Sequence, residues 1–113
     1  MKKVNIVKKN IEFNNIIENG KKYYSDIFFV YIKENGSTNR FGISVSKKIG
    51  NAVTRNKYKR RIKDIIDKYD FNYEGYDMIF ISRPKLKEYE YSYIKENIFK
   101  LLNMIGENNE KKK

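Results

Sequence analysis

Residues 40–69 constrain the fold of this chain more than any other stretch. Residues 40–46 alternate, with Phe41, Ile43 and Val45 on one side and Gly42, Ser44 and Ser46 on the other. A period of two marks a strand with one face in a core. Its second face is small and polar, so another element can approach it closely. The period then changes. Tyr58, Ile62, Ile65, Ile66 and Tyr69 form an apolar arc of roughly 100° on a helical wheel. Asn51 stands where the cap of that helix belongs. A half-buried strand leading into an amphipathic helix calls for helices layered on a sheet.

The rest of the chain supplies the other elements. Asn10 is a candidate cap for a short first helix in which Phe13, Ile16 and Ile17 share a face, and Asn19-Gly20 is its stop signal. Residues 27–32 are a continuous aromatic and β-branched run, hence a strand. Because the run is apolar throughout, the pattern leaves open which of its faces is wet. Residues 35–37, Asn-Gly-Ser, signal a turn. A third strand spans residues 76–82 and ends at Arg83-Pro84. The last helix starts near Ser92, with Ile94, Ile98, Leu101, Leu102 and Ile105 on its core face. The expected order is α-β-β-α-β-α, an α/β (α+β) two-layer sandwich on a small central sheet. At 113 residues, one domain over residues 1–106 is expected, with 107–113 a charged, frayed tail.

Charge is distributed unevenly along this framework. Residues 35–63 hold nine basic side chains and no acidic one, so they carry nine of the eleven net positive charges. A genome rich in A and T explains a high lysine count but not this segregation. Three of the five arginines, Arg55, Arg60 and Arg61, fall within seven residues. Arginine's planar fork grips phosphate bidentately and stacks on bases. The partner this implies is a polyanion, and nucleic acid is the first candidate.

Composition excludes much catalytic chemistry. The chain has no cysteine and no histidine. That removes disulfides, thiolate metal sites, the commonest zinc ligands and the commonest general base. No stretch approaches the roughly 20 apolar residues of a membrane span, and no signal peptide is evident, so a cytoplasmic protein that does not engage membranes is expected.

The segment Ser44-Val45-Ser46-Lys47-Lys48-Ile49-Gly50-Asn51-Ala52-Val53-Thr54-Arg55-Asn56-Lys57-Tyr58-Lys59-Arg60-Arg61 resembles the signature of the bacterial ribonuclease P protein subunit. In that family a strand ending in Ser-Val-Ser-Lys-Lys leads through Gly-Asn-Ala-Val into an Arg-Asn-Arg helix. The Lys-rich start, the Glu-Phe pair in the first helix and the aromatic strand agree as well. The resemblance covers roughly residues 6–103. One departure is Lys57, which stands where the family has its second arginine: charge is kept and a fork is lost.

The resemblance implies a left-handed βαβ crossover around the basic helix, against the usual right-handed rule. It implies a subunit of an endoribonuclease whose RNA carries the chemistry with Mg2+, while the protein binds that RNA and the 5′ leader of precursor tRNA. No catalytic residue, metal site or cofactor is expected in the protein itself. Lys47, Lys48, Asn51, Arg55, Asn56, Lys57, Lys59, Arg60 and Lys63 are expected to contact RNA backbone. Arg55, Lys59 and Lys63 line one flank of the apolar arc, and Arg61, at its other edge, reads as ordinary surface. A bound sulfate or phosphate is expected near residues 55–63. Phe13, Ile17, Phe29, Tyr31 and Ser44 match family positions lining the leader cleft, with Ile17 replacing what is often an aromatic residue.

Three other functions compete. A structural, ribosomal-type RNA-binding protein fits the composition equally well, and only the signature segment argues against it. A stand-alone nuclease would need paired carboxylates for metals or a histidine base. A module for an acidic protein would be indifferent to ribonuclease treatment.

Overall fold

A computed structural model describes residues 10–110. Residues 1–9 of the expected domain and 111–113 of the expected tail lie outside them. The first helix, α1 (Asn10–Asn19), ends before Gly20. Strand β1 (Lys21–Tyr24) follows at once, then β2 (Phe28–Glu34) and β3 (Arg40–Ser44). The turn between β2 and β3 uses Gly36 at φ 68°, a left-handed conformation that costs glycine nothing. A 3-10 turn over Lys47–Ile49 precedes α2 (Ala52–Lys68). Then come β4 (Tyr76–Ser82), a second 3-10 turn over Pro84–Glu88, and α3 (Tyr91–Glu110).

The strands form one mixed sheet in the order β1-β2-β4-β3. β1 pairs antiparallel with β2, and β2 antiparallel with β4. β3 runs parallel to β4. A parallel neighbour requires a crossover, and α2 is that connection.

Strand periodicity sorts the sheet's side chains onto two faces. Phe28, Val30, Ile32, Phe41, Val45, Met78 and Phe80 enter the main core. There they meet Ile62, Ile65 and Ile66 of α2 and Ile94, Ile98, Leu101, Leu102 and Ile105 of α3, all buried. Burying each such side chain contributes about 1.5–3 kcal/mol. The predicted helical faces are therefore the observed ones. On the opposite face α1 packs Ile16 against Ile79, with Phe13, Ile17, Tyr31 and Ile81 around them.

Two expectations change. The observed order is α-β-β-β-α-β-α, because β1 was not foreseen. Its Lys-Lys-Tyr-Tyr has no apolar alternation, and only pairing to β2 makes it a strand. The charged tail is also not frayed at its start: α3 continues to Glu110. Asn109 donates to the Tyr23 hydroxyl at 3.0 Å and accepts from Lys21 Nζ at 3.2 Å. Those two bonds tie the helix end to β1.

Candidate nucleic-acid interface

The basic surface is built outward from buried anchors. Ile49 is buried and pins the turn that exposes Lys47 and Lys48. The Ser46 N–H donates to the buried Ser82 hydroxyl at 3.0 Å, which holds the turn against the end of β4. Asn51 caps α2, its side-chain oxygen accepting from the Thr54 N–H at 3.0 Å. Asn51 is itself exposed, and the cap bond uses only its side-chain oxygen.

Beyond the cap, Asn56, Lys57, Lys59, Arg60 and Lys63 are all exposed, while Arg55 is half-buried. The Nε of Arg55 is buried and has no hydrogen-bond partner. A buried donor in that condition costs about 1–3 kcal/mol. Arg61 lies 5.8 Å from the Tyr58 ring centre, so its guanidinium leans on the opposite edge of the arc. Of the nine basic residues in 35–63, only Arg40 forms an ion pair among the described residues. The other eight positive charges are uncompensated, whereas Lys68 at the end of the helix is paired with Asp64 at 3.1 Å.

The five cleft candidates come together on the α1 face of the sheet. Phe13 and Ile17 project from α1 toward Tyr31 and Ile81. Phe29 and Tyr31 alternate with the core-facing residues of β2, which resolves which face of that strand is open. Ser44 pairs in register with Ile81, and Ile81 with Phe29. Phe13, Ile17, Phe29, Tyr31, Ser44 and Ile81 all keep some exposure on this face, while Ile16, Gly42 and Ile79 are buried. Gly42 explains how α1 gets so near: a Cβ there would stand 2.7 Å from Phe13 Cε2 and 2.6 Å from Ile79 Cδ1.

An internal ion pair sets the position of α1. Asp77 is buried, and Arg40 binds it in a fork through Nε and Nη2, both at 2.8 Å. Asn35 donates to the same carboxylate at 2.6 Å. Burial alone would raise the Asp77 pKa; the hydrogen bonds from Arg40 and Asn35 outweigh it and leave the carboxyl below its usual range. The remaining Arg40 nitrogen, Nη1, reaches Glu12 of α1 at 3.3 Å. Arg40, counted in the sequence among the basic segment, is thus a structural group.

Beside Phe29 on this face lie residues that the sequence did not mark. Lys22 Nζ lies 4.3 Å from the Phe29 ring centre and the Arg83 guanidinium 4.7 Å from it. The periodicity of β2 could have placed Phe29, but nothing in the sequence brings Lys22 or Arg83 beside it. Among the described residues no three His, Cys, Asp or Glu side chains gather where they could hold a metal ion. No helix there is long and apolar enough to cross a membrane.

A family profile described as Ribonuclease P matches residues 1–106. The chain belongs to the ribonuclease P protein family. Among its relatives, the ribonuclease P protein component of Carboxydothermus hydrogenoformans is 38% identical over 109 residues, covering 93% of this chain and 94% of the relative. That of Clostridium novyi is 38% identical over 113 residues, covering 94% and 97%. The Staphylococcus aureus RNase P protein structure superposes with a TM-score of 0.83 at 34% identity, covering 91% of this chain and 96% of that one. The Thermotoga maritima protein gives 0.78 at 28%, covering 92% and 97%. Membership shows the α+β fold and a subunit of an endoribonuclease, as the signature segment implies.

Proposed function

We propose that this protein binds a ribonuclease P RNA through its basic segment and holds the 5′ leader of precursor tRNA in the cleft between α1 and the sheet. The observation that carries the first half is eight unpaired cations on one turn and one helix. Phosphate oxygens supply the countercharge. Lys47, Lys48, Asn51, Arg55, Asn56, Lys57, Lys59, Arg60 and Lys63 form that surface, and a sulfate or phosphate ion would occupy its Arg55 end. The cleft half rests on Phe13, Ile17, Tyr31 and Ser44 sharing one half-open face with Phe29. Aromatic faces accept any base, which suits a protein that meets many leaders.

The RNA performs the cleavage with Mg2+, in the cytoplasm where precursors are made. The protein contributes charge neutralisation and grip on the substrate. Reconstitution tests this reading. With a bacterial ribonuclease P RNA at low Mg2+, wild-type protein should stimulate leader removal, and Arg55→Ala should stimulate it less. A wild-type protein that binds the RNA without stimulating cleavage would instead favour a structural RNA-binding role.

A further inference from the structure

We propose that β1 carries a further subsite for single-stranded RNA, in which Lys22 binds a phosphate and Tyr24 stacks on a base of the leader beyond the part held under α1. This rests on the leader-cleft reading above and extends it to the far edge of the sheet.

The subsite follows from register and charge. Lys22 pairs with Tyr31 and Tyr24 with Phe29, so both share the cleft face of the sheet. Tyr24 is 66% exposed, which is unusual for so large a ring on a paired strand. The row Ser44, Ile81, Phe29, Tyr24 crosses all four strands at matched positions. It spans roughly 14 Å at the usual strand spacing. One end adjoins the basic turn of Lys47 and Lys48; the other is Tyr24. A strand of RNA fixed at the basic end and running along this row therefore reaches β1 with nucleotides farther from the cut.

Phe29 is less a bare stacking platform than a holder of cations. Lys22 and Arg83 both lie against its ring, at 4.3 and 4.7 Å from the centre. Among the described residues neither has a carboxylate partner. Arg83 is fixed by a 2.7 Å bond from Nη1 to the Ser25 carbonyl. Asp26, four residues from Lys22 in the chain, is occupied by the Tyr93 hydroxyl at 2.7 Å and the Asn97 amide at 3.1 Å. Two like charges drawn to one ring repel each other unless an anion lies between or beside them. A leader phosphate is such an anion, and the adjacent Tyr24 ring receives its base. An acidic peptide could meet the cations but has no base for Tyr24.

The test uses the protein reconstituted with a ribonuclease P RNA and three substrates: tRNA without a leader, and precursors with leaders of about two and about ten nucleotides, against a sheet roughly 14 Å wide. Tyr24→Ala should weaken binding of the long-leader precursor about 5- to 10-fold, the lower part of the range for one stacked base, and Tyr24→Phe should restore it. Lys22→Gln should flatten the log–log salt dependence for the long leader by about 0.7, the value for one phosphate on a single strand. Neither variant should change the ratio of short-leader to leaderless affinity. Equal losses on the short and long leaders would overturn the subsite, as would wild-type affinity of both variants for the long leader. A wild-type protein that binds precursor no better than leaderless tRNA would overturn the cleft reading itself. Capture of an acidic peptide with loss in Lys22→Gln but none in Tyr24→Ala would replace RNA with protein as the occupant.

Discussion

Replacing Arg40 with alanine removes the fork on Asp77, two bonds of 2.8 Å, and the 3.3 Å link to Glu12. Asp77, 6% exposed, then keeps only Asn35. Breaking a fully buried ion pair costs about 3–5 kcal/mol. The Arg40 side chain is 33% exposed, so water partly replaces it and about 2–3 kcal/mol is expected. For a domain near 100 residues that lowers Tm by roughly 10–20 °C. Urea unfolding followed by circular dichroism measures the loss, which should appear in the midpoint and not the slope. The double variant Arg40→Met with Asp77→Asn should recover about 1–2 kcal/mol, since the stranded charge is gone. The loss also has a pH signature. Because the Asp77 pKa is lowered in the fold, the stabilisation is complete above the unfolded value of about 3.9 and fades as pH falls through the lower folded one. The gap between wild type and Arg40→Ala should therefore close in strong acid. A loss below about 1 kcal/mol, or a double variant less stable than Arg40→Ala, would refute the account of Asp77 as a buried charge dependent on Arg40. Glu12→Gln keeps the fork and weakens only the tie to α1, so it should spare stability and reduce the preference for leader-bearing substrate.

Asn51→Ala removes the cap of α2 and should cost about 1 kcal/mol in the same unfolding assay. Gly42→Ala places a methyl against Phe13 and Ile79 and should cost about 1–3 kcal/mol by overpacking, with α1 as the element that moves, visible as lost protection of its amides in hydrogen exchange. Arg55→Ala should weaken RNA binding and lower its salt slope by about 0.7–0.9, measured by filter binding across salt concentrations. The Tyr93 phenol, hydrogen-bonded to Asp26, is pushed up to about 12. The neutral phenol is favoured by the fold, so this contribution is full below the ordinary tyrosine value near 10 and is lost as pH rises through about 12. Tyr93→Phe should delete the latest step from the ultraviolet tyrosine titration and raise the Asp26 pKa seen by NMR, since Tyr93 is the main cause of its lowering.

Local pattern was enough for most elements. The 76–82 strand matches β4 end to end, and the predicted arcs of α2 and α3 are the buried ones. Each of these faces is determined by its own spacing of apolar residues, and burial rewards that spacing directly. The Asn51 cap was legible because its bond reaches only three residues along the chain. The short strand β1 was not, because Lys21–Tyr24 becomes a strand only through a neighbour's hydrogen bonds. The helical end of the charged tail depends on Asn109 meeting Lys21 and Tyr23, residues more than eighty positions away.

The candidate site divides in the same way. The sequence alone placed the cations of residues 47–63 on a turn and a helix, because charge segregation and helical period are both local properties. It also kept acidic residues out of that segment, so the partner's charge could be read without coordinates. Only the tertiary structure separated Arg40 from the other cations, by bringing Asp77 and Glu12 to it from distant elements. Only the sheet order β1-β2-β4-β3 decided that Phe29 and Tyr31 share a face with Phe13, and that Lys22 and Arg83 converge on one ring. The physical reason is range. Propensity, periodicity and capping act over a few residues. Strand order and register are instead selected by burying the whole core at once, so the chemistry that depends on them exists only in the folded chain.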